Sequence, residues 1–253
     1  MENVVSISNE FLSDFISVRD KYLFSLISSS TSVINEFTKV YNKAKEENKK
    51  YSIFFNPLKY FKINETLHSQ MLADLLNPNS THGQGRLFLN LFLKKLEIIN
   101  PESGNWKITA EIGRIDVLLV RERDPHSVIV IENKSNNAVD QNNQLYRYWY
   151  QEIYVPNKNI AFAKKETYED AIIKSRYKII YLPPDDSKMP QEFSLKKPDY
   201  LTDSILPDEI PIKYEHRTFK KFICEWLGES IEKIEPENYR LKIYLNQYIE
   251  LWN

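Results

Sequence analysis

The chain has 253 residues, 42% hydrophobic and 27% charged, with a formal net charge of −1. That length buries a substantial core, and the near-neutral balance argues against an avid, sequence-indifferent nucleic-acid binder. A single cysteine, Cys224, excludes an intrachain disulfide, and with only four histidines beside it there is no zinc ligand set.

In chain order, residues 1–50 carry apolar residues at helical spacing, first Phe11, Phe15, Val18 and Tyr22, then Val33, Phe37, Val40 and Tyr41. The run Ser28–Ser32 interrupts them, so the spacing predicts two helices joined by a serine-rich turn, ending in the charged stretch Lys43–Lys50. This is a helical appendage expected to pack on the core, with dimerisation or substrate contact as alternatives. The basic clusters at Lys39–Lys50 and Lys164–Lys178 interleave with glutamates and read as solvated helix faces.

Residues 51–253 read as the main domain with C-terminal helices. Its expected elements are helices over 64–76 and 84–97, strands near 106–121 and over 128–134, a helix over 137–153 and a strand over 177–182. Residues 183–210 hold five of the 12 prolines and read as irregular surface. Helical pattern returns over 211–252, and Cys224 falls at a buried helical position. No apolar run is long enough to cross a membrane, and the N-terminus, with Glu2 and mixed polarity, does not read as a signal peptide. The expected setting is reducing and cytoplasmic. No Gly-rich phosphate loop points to an ATP-driven motor.

The charged residues that matter sit inside the strands. Asp116 lies in Ile115-Asp-Val-Leu-Leu-Val120, and Glu132 and Lys134 end Val128-Ile-Val-Ile-Glu-Asn-Lys134. Strand alternation points Glu132 and Lys134 to one face together with Val128 and Val130. Burying such charges costs several kcal/mol unless they pair or bind a metal. The polar segment 121–126 contains a proline and reads as a hairpin loop, so antiparallel pairing brings Asp116 to Glu132 and Lys134. Two carboxylates and a lysine at one point suit a divalent cation: Mg2+ prefers oxygen ligands and takes few from protein. A cation there assists phosphodiester hydrolysis, with the lysine orienting water or stabilising the transition state. The plain competing reading is a surface hairpin whose Glu132–Lys134 pair faces solvent and stabilises little.

Downstream, Gln141, Gln144, Leu145, Tyr148 and Trp149 recur at helical spacing. The order Asp116, Glu132-x-Lys134, Gln144-x-x-x-Tyr148 resembles the PD-(D/E)xK nuclease superfamily, including the glutamine–tyrosine helix of its RecB-like branch. Asn64-Glu65 through Pro78, His82-Gly-x-Gly85 and Phe88-Leu-x-x-Phe92 resemble a bacterial subfamily of it. The resemblance covers about residues 60–182, and Ile115-Asp116 replaces the literal Pro-Asp.

The resemblance implies an α/β, restriction-endonuclease-like fold, a mixed central sheet flanked by helices, with additional N- and C-terminal helices. It implies a phosphodiesterase that uses Mg2+, or Mn2+ in its place, on nucleic acid, DNA foremost, in restriction or phage defence. Asp116 and Glu132 are then metal ligands, and Lys134 assists the attacking water. Gln144 contacts the site or the substrate backbone, with Tyr148 supporting it. Glu65 is a candidate third metal ligand or a mere helix start stabilised by the helix dipole; Glu111 is the other candidate. His68 reads as structural. A catalytically silent nuclease-fold module binding nucleic acid or protein is the alternative, and a second copy or a companion defence subunit stays open as partner.

Overall fold

The computed structural model describes residues 2–52, 55–123, 125–157 and 159–253, so one residue of the polar 121–126 segment, Asp124, and the end residue Met1 of the appendage lie outside the described residues. The chain divides into two units, Met1–Asn56 and Pro57–Asn253. The first contains one uninterrupted helix, α1 (Glu2–Tyr51), where the serine run predicted a break. Neither Gly nor Pro occurs between positions 2 and 51. Serine is only a mild helix breaker, and hydroxyls bond back into the helix: Thr31 Oγ1 donates to the Ile27 carbonyl and Thr38 Oγ1 to that of Ile34.

The second unit is a mixed sheet covered on both faces. Its strands are β1 (Trp106–Ile112), β2 (Ile115–Arg121), β3 (Ser127–Asn133), β4 (Tyr177–Leu182) and β5 (Glu215–His216), hydrogen-bonded in that order. β1–β2 and β2–β3 are antiparallel, whereas β3–β4 and β4–β5 are parallel. Gly113 and Arg114, both at positive φ, close the first hairpin as the primed two-residue turn that matches strand twist. The central strand β3 is buried throughout, as its run of β-branched residues requires. β5 falls in a stretch read as helical and pairs through only two residues. There Glu215 meets Lys178 of β4, a residue expected on a solvated face and instead buried.

Alternation along β3 divides the core. Ile129 and Ile131 pack with α2 (Glu65–Leu76), α3 (Leu87–Lys95) and two C-terminal helices. Val128 and Val130 pack on the other face with Leu145, Tyr148 and Trp149. The C-terminal pair are α5 (Cys224–Lys233) and α6 (Tyr239–Ile249), and Cys224 is half-buried. Numbered between them and β3, α4 (Gln144–Tyr148) widens into a π-helical stretch, Trp149–Tyr154. Residues 137–143 were expected to be helical but form a loop, because Asn143 enters α4 with φ of 56° and Asp140 is tied elsewhere. α2 begins where its cap predicts, with the Asn64 side chain accepting from the Leu67 N–H. His68 on α2 is structural as expected: its Nδ1 lies 2.7 Å from the Tyr248 hydroxyl of α6, among aromatic rings. Among the described residues no helix is long and apolar enough to cross a membrane.

Candidate active site

β2 and β3 pair with Val117 opposite Ile131, and the next step of that register sets Asp116 against Glu132. The sheet thus brings together the two acids separated by the hairpin. Asp116 Oδ2 accepts the Asn133 backbone N–H at 2.6 Å. Glu132 is 1% exposed and Lys134 3%, which rules out the solvent-facing pair. Lys134 Nζ lies 2.6 Å from Glu132 Oε1, 3.6 Å from Asp140 Oδ1 and 3.3 Å from Gln144 Oε1.

α4 supplies the wall behind these charges. Gln144 and Tyr148 lie one turn apart, and Gln144 Nε2 donates to the Tyr148 oxygen at 3.0 Å. The Tyr148 hydroxyl reaches Glu132 Oε2 at 2.8 Å and the Arg114 carbonyl at 2.7 Å. Both side chains were expected to meet the site or the substrate. They meet the site, and with both residues buried all of these polar contacts are to protein groups.

Glu65 does come to the edge of this region, from the start of α2. Its Oε1 accepts the N–H groups of Asn136 and Ala138, each at 3.2 Å, shaping the loop that follows Lys134. Asn133 fastens α2 to β3 by donating to the Glu65 carbonyl and Ser69 Oγ. Among the described residues no cluster of three or more metal-ligating side chains is gathered. Glu111, at positive φ in β1, is near enough for its charge to act on Asp116.

Asp140 opens the stretch Asp140-Gln-x-x-Gln144 that resembles the superfamily's helix motif, but sequence reasoning gave it no role in the site. It is buried, accepts the Tyr181 hydroxyl at 2.9 Å and the Gln191 N–H at 2.7 Å, and faces the Lys134 ammonium. A helix starting at 137 would set Asp140 on the Gln144–Tyr148 face, one turn before Gln144, but nothing local to it shows the Tyr181 and Gln191 partners that bury it.

The electrostatics follow from this packing. Burial, then the neighbouring Glu132 charge, pushes the Asp116 carboxyl up to about 8, against the Asn133 N–H that favours the anion. Burial also pushes Glu132 up, against the pull of Lys134. Burial acts to strip the Lys134 proton, but Glu132, Asp140 and Asp116 together hold it above the usual lysine range.

A mixed sheet with its acids and lysine at adjoining strand ends, backed by a helix, defines a restriction-endonuclease-like α/β core. The family model of the PD-(D/E)XK nuclease superfamily matches residues 54–250, and the chain belongs to that superfamily. No curated protein and no solved structure matches it.

Proposed function

We propose that the chain is a divalent-metal-dependent nuclease hydrolysing phosphodiester bonds, with DNA as substrate and restriction or phage defence as setting. One observation carries the reading: Asp116, Glu132 and Lys134 meet at the ends of β2 and β3, with the lysine ion-paired and the Asp116 carboxyl pushed up by desolvation and then by the Glu132 charge. Superfamily membership supports nuclease chemistry. DNA and the defence setting rest on the resemblance to bacterial members.

Asp116 and Glu132 would hold Mg2+, with Mn2+ as a substitute. The donor set fits a dication: all oxygen, and two adjoining carboxylates whose mutual repulsion a cation removes. When bound, such an ion polarises a phosphoryl oxygen and acidifies a water. Lys134, held protonated, donates rather than abstracts: it orients the attacking water and stabilises charge building on the phosphate. Gln144 and Tyr148 hold Lys134 and Glu132 in place, in the manner of the RecB-like glutamine–tyrosine helix. Glu65 is the candidate third oxygen ligand, at the expense of its two backbone hydrogen bonds.

The test is cleavage of labelled single- and double-stranded DNA and RNA with Mg2+ or Mn2+, comparing wild type with Glu132→Ala. Metal-dependent cutting by wild type alone supports the reading and identifies the substrate. No cutting and no metal binding by folded wild type overturns it in favour of a silent nuclease-fold module.

A further inference from the structure

The first unit contains α1, and the described apolar side chains of that helix, from Phe11 to Tyr41, are exposed. Leu12, Ile16, Leu23, Leu26, Phe37 and Val40 are 42–68% exposed, against the burial their type prefers. Each such side chain gains about 1.5–3 kcal/mol on full burial. Their spacing alternates between four and three residues from position 12 to position 44, interrupted only by Arg19 and Ser30. This is the seam of a two-helix coiled coil.

From these observations we infer that α1 pairs with α1 of a second copy, and that the two helices run antiparallel. A two-fold axis makes one stripe its own complement, so the seam that runs from position 12 to 44 closes with its copy, flanked by the exposed Phe11, Phe15, Val18 and Tyr22. Charge sets the direction. Residues 2–27 contain four acids and two bases, a formal −2, whereas residues 28–51 contain three acids and five lysines, a formal +2. Antiparallel pairing lays each acidic half on a basic half; parallel pairing sets like on like along the whole length. The antiparallel axis also falls within Ser28–Ser32, where small side chains let two backbones approach. The serine run that fails to break the helix thereby gains a use.

The inference is independent of the nuclease reading. Light scattering on the full chain is expected to give twice 30.1 kDa. The double variant Leu26→Asp, Val33→Asp, charged at the seam's centre, is expected to run as a monomer, with the thermal unfolding of the Pro57–Asn253 unit unchanged. A spin label at Asn42→Cys in a Cys224→Ser background reads direction: antiparallel helices separate the labels by roughly 40 Å, parallel ones by under about 20 Å, at 1.5 Å rise per residue. A monomeric wild type, a double variant that remains dimeric, or the short label distance would each overturn the inference.

Discussion

β2 carries an ionisable group at each end, Arg121 fully buried and Asp116 half-buried, and the two ends treat that group in opposite ways. Arg121 is 0% exposed and among the described residues meets no carboxylate, yet its guanidinium donates to the carbonyls of Ile99, Asn100 and Pro125 and to the hydroxyls of Ser103 and Ser127. Burial, with the charges of Arg176 and Arg86, lowers its proton affinity, but the rigid fork is fully used and ties the loop before β1 to the loop before β3. At the other end Asp116 has one short hydrogen bond and a second carboxylate beside it. A satisfied buried charge holds structure; a frustrated one stores a demand for a ligand. The comparison separates the scaffold from the chemistry without appeal to the family.

The largest expected effect falls at the satisfied end. Arg121→Ala removes a fully buried side chain and the charged donor of the Ile99, Asn100 and Pro125 carbonyls, each such hydrogen bond worth about 1.5–3 kcal/mol, so stability should fall by more than about 3 kcal/mol. A urea midpoint near that of wild type would break the comparison. Gly104→Ala sharpens it: at φ of +71° the added Cβ would lie 2.8 Å from Arg121 Cδ. A loss of about 1–3 kcal/mol is expected from strain and overpacking.

The frustrated end behaves in reverse. Asp116→Asn should leave metal-free stability unchanged or raise it by about 1 kcal/mol while weakening Mg2+ and Mn2+ binding. The pH dependence has a definite sign. The folded protein keeps the Asp116 proton up to about 8, whereas the unfolded chain releases it near 3.8, so this group lowers metal-free stability as pH rises through that window. Asp116→Asn should remove that part of the slope; unfolding curves at pH 5 and 8 that shift equally in both proteins would contradict it.

Sequence patterning reached the frustrated end and missed the satisfied one. Asp116, Glu132 and Lys134 stood out because each interrupts an apolar strand of known period, and strand pairing needs only a short hairpin. The Asn64 cap and the run Tyr177–Leu182 were legible for the same reason, since local chemistry sets both. Arg121 read as loop, because the carbonyls that fix it come from separate turns and carry no side-chain signature. Asp140 and the late start of α4 depend on Tyr181 and the Gln191 backbone, forty residues and more away. Ser28–Ser32 misled because weak helix breakers lose to fifty residues without Gly or Pro. In each miss the deciding contact was long-range or the local preference was small.

The central claim is that Lys134 acts on the reaction and the two carboxylates on the metal. Lys134→Ala is the direct measurement, with Mn2+ affinity by calorimetry beside cleavage of the substrate identified for wild type. The account predicts retained metal binding and cutting reduced by at least about 100-fold, the scale of a lost electrostatic stabiliser. Equal cutting by the two folded proteins would contradict it.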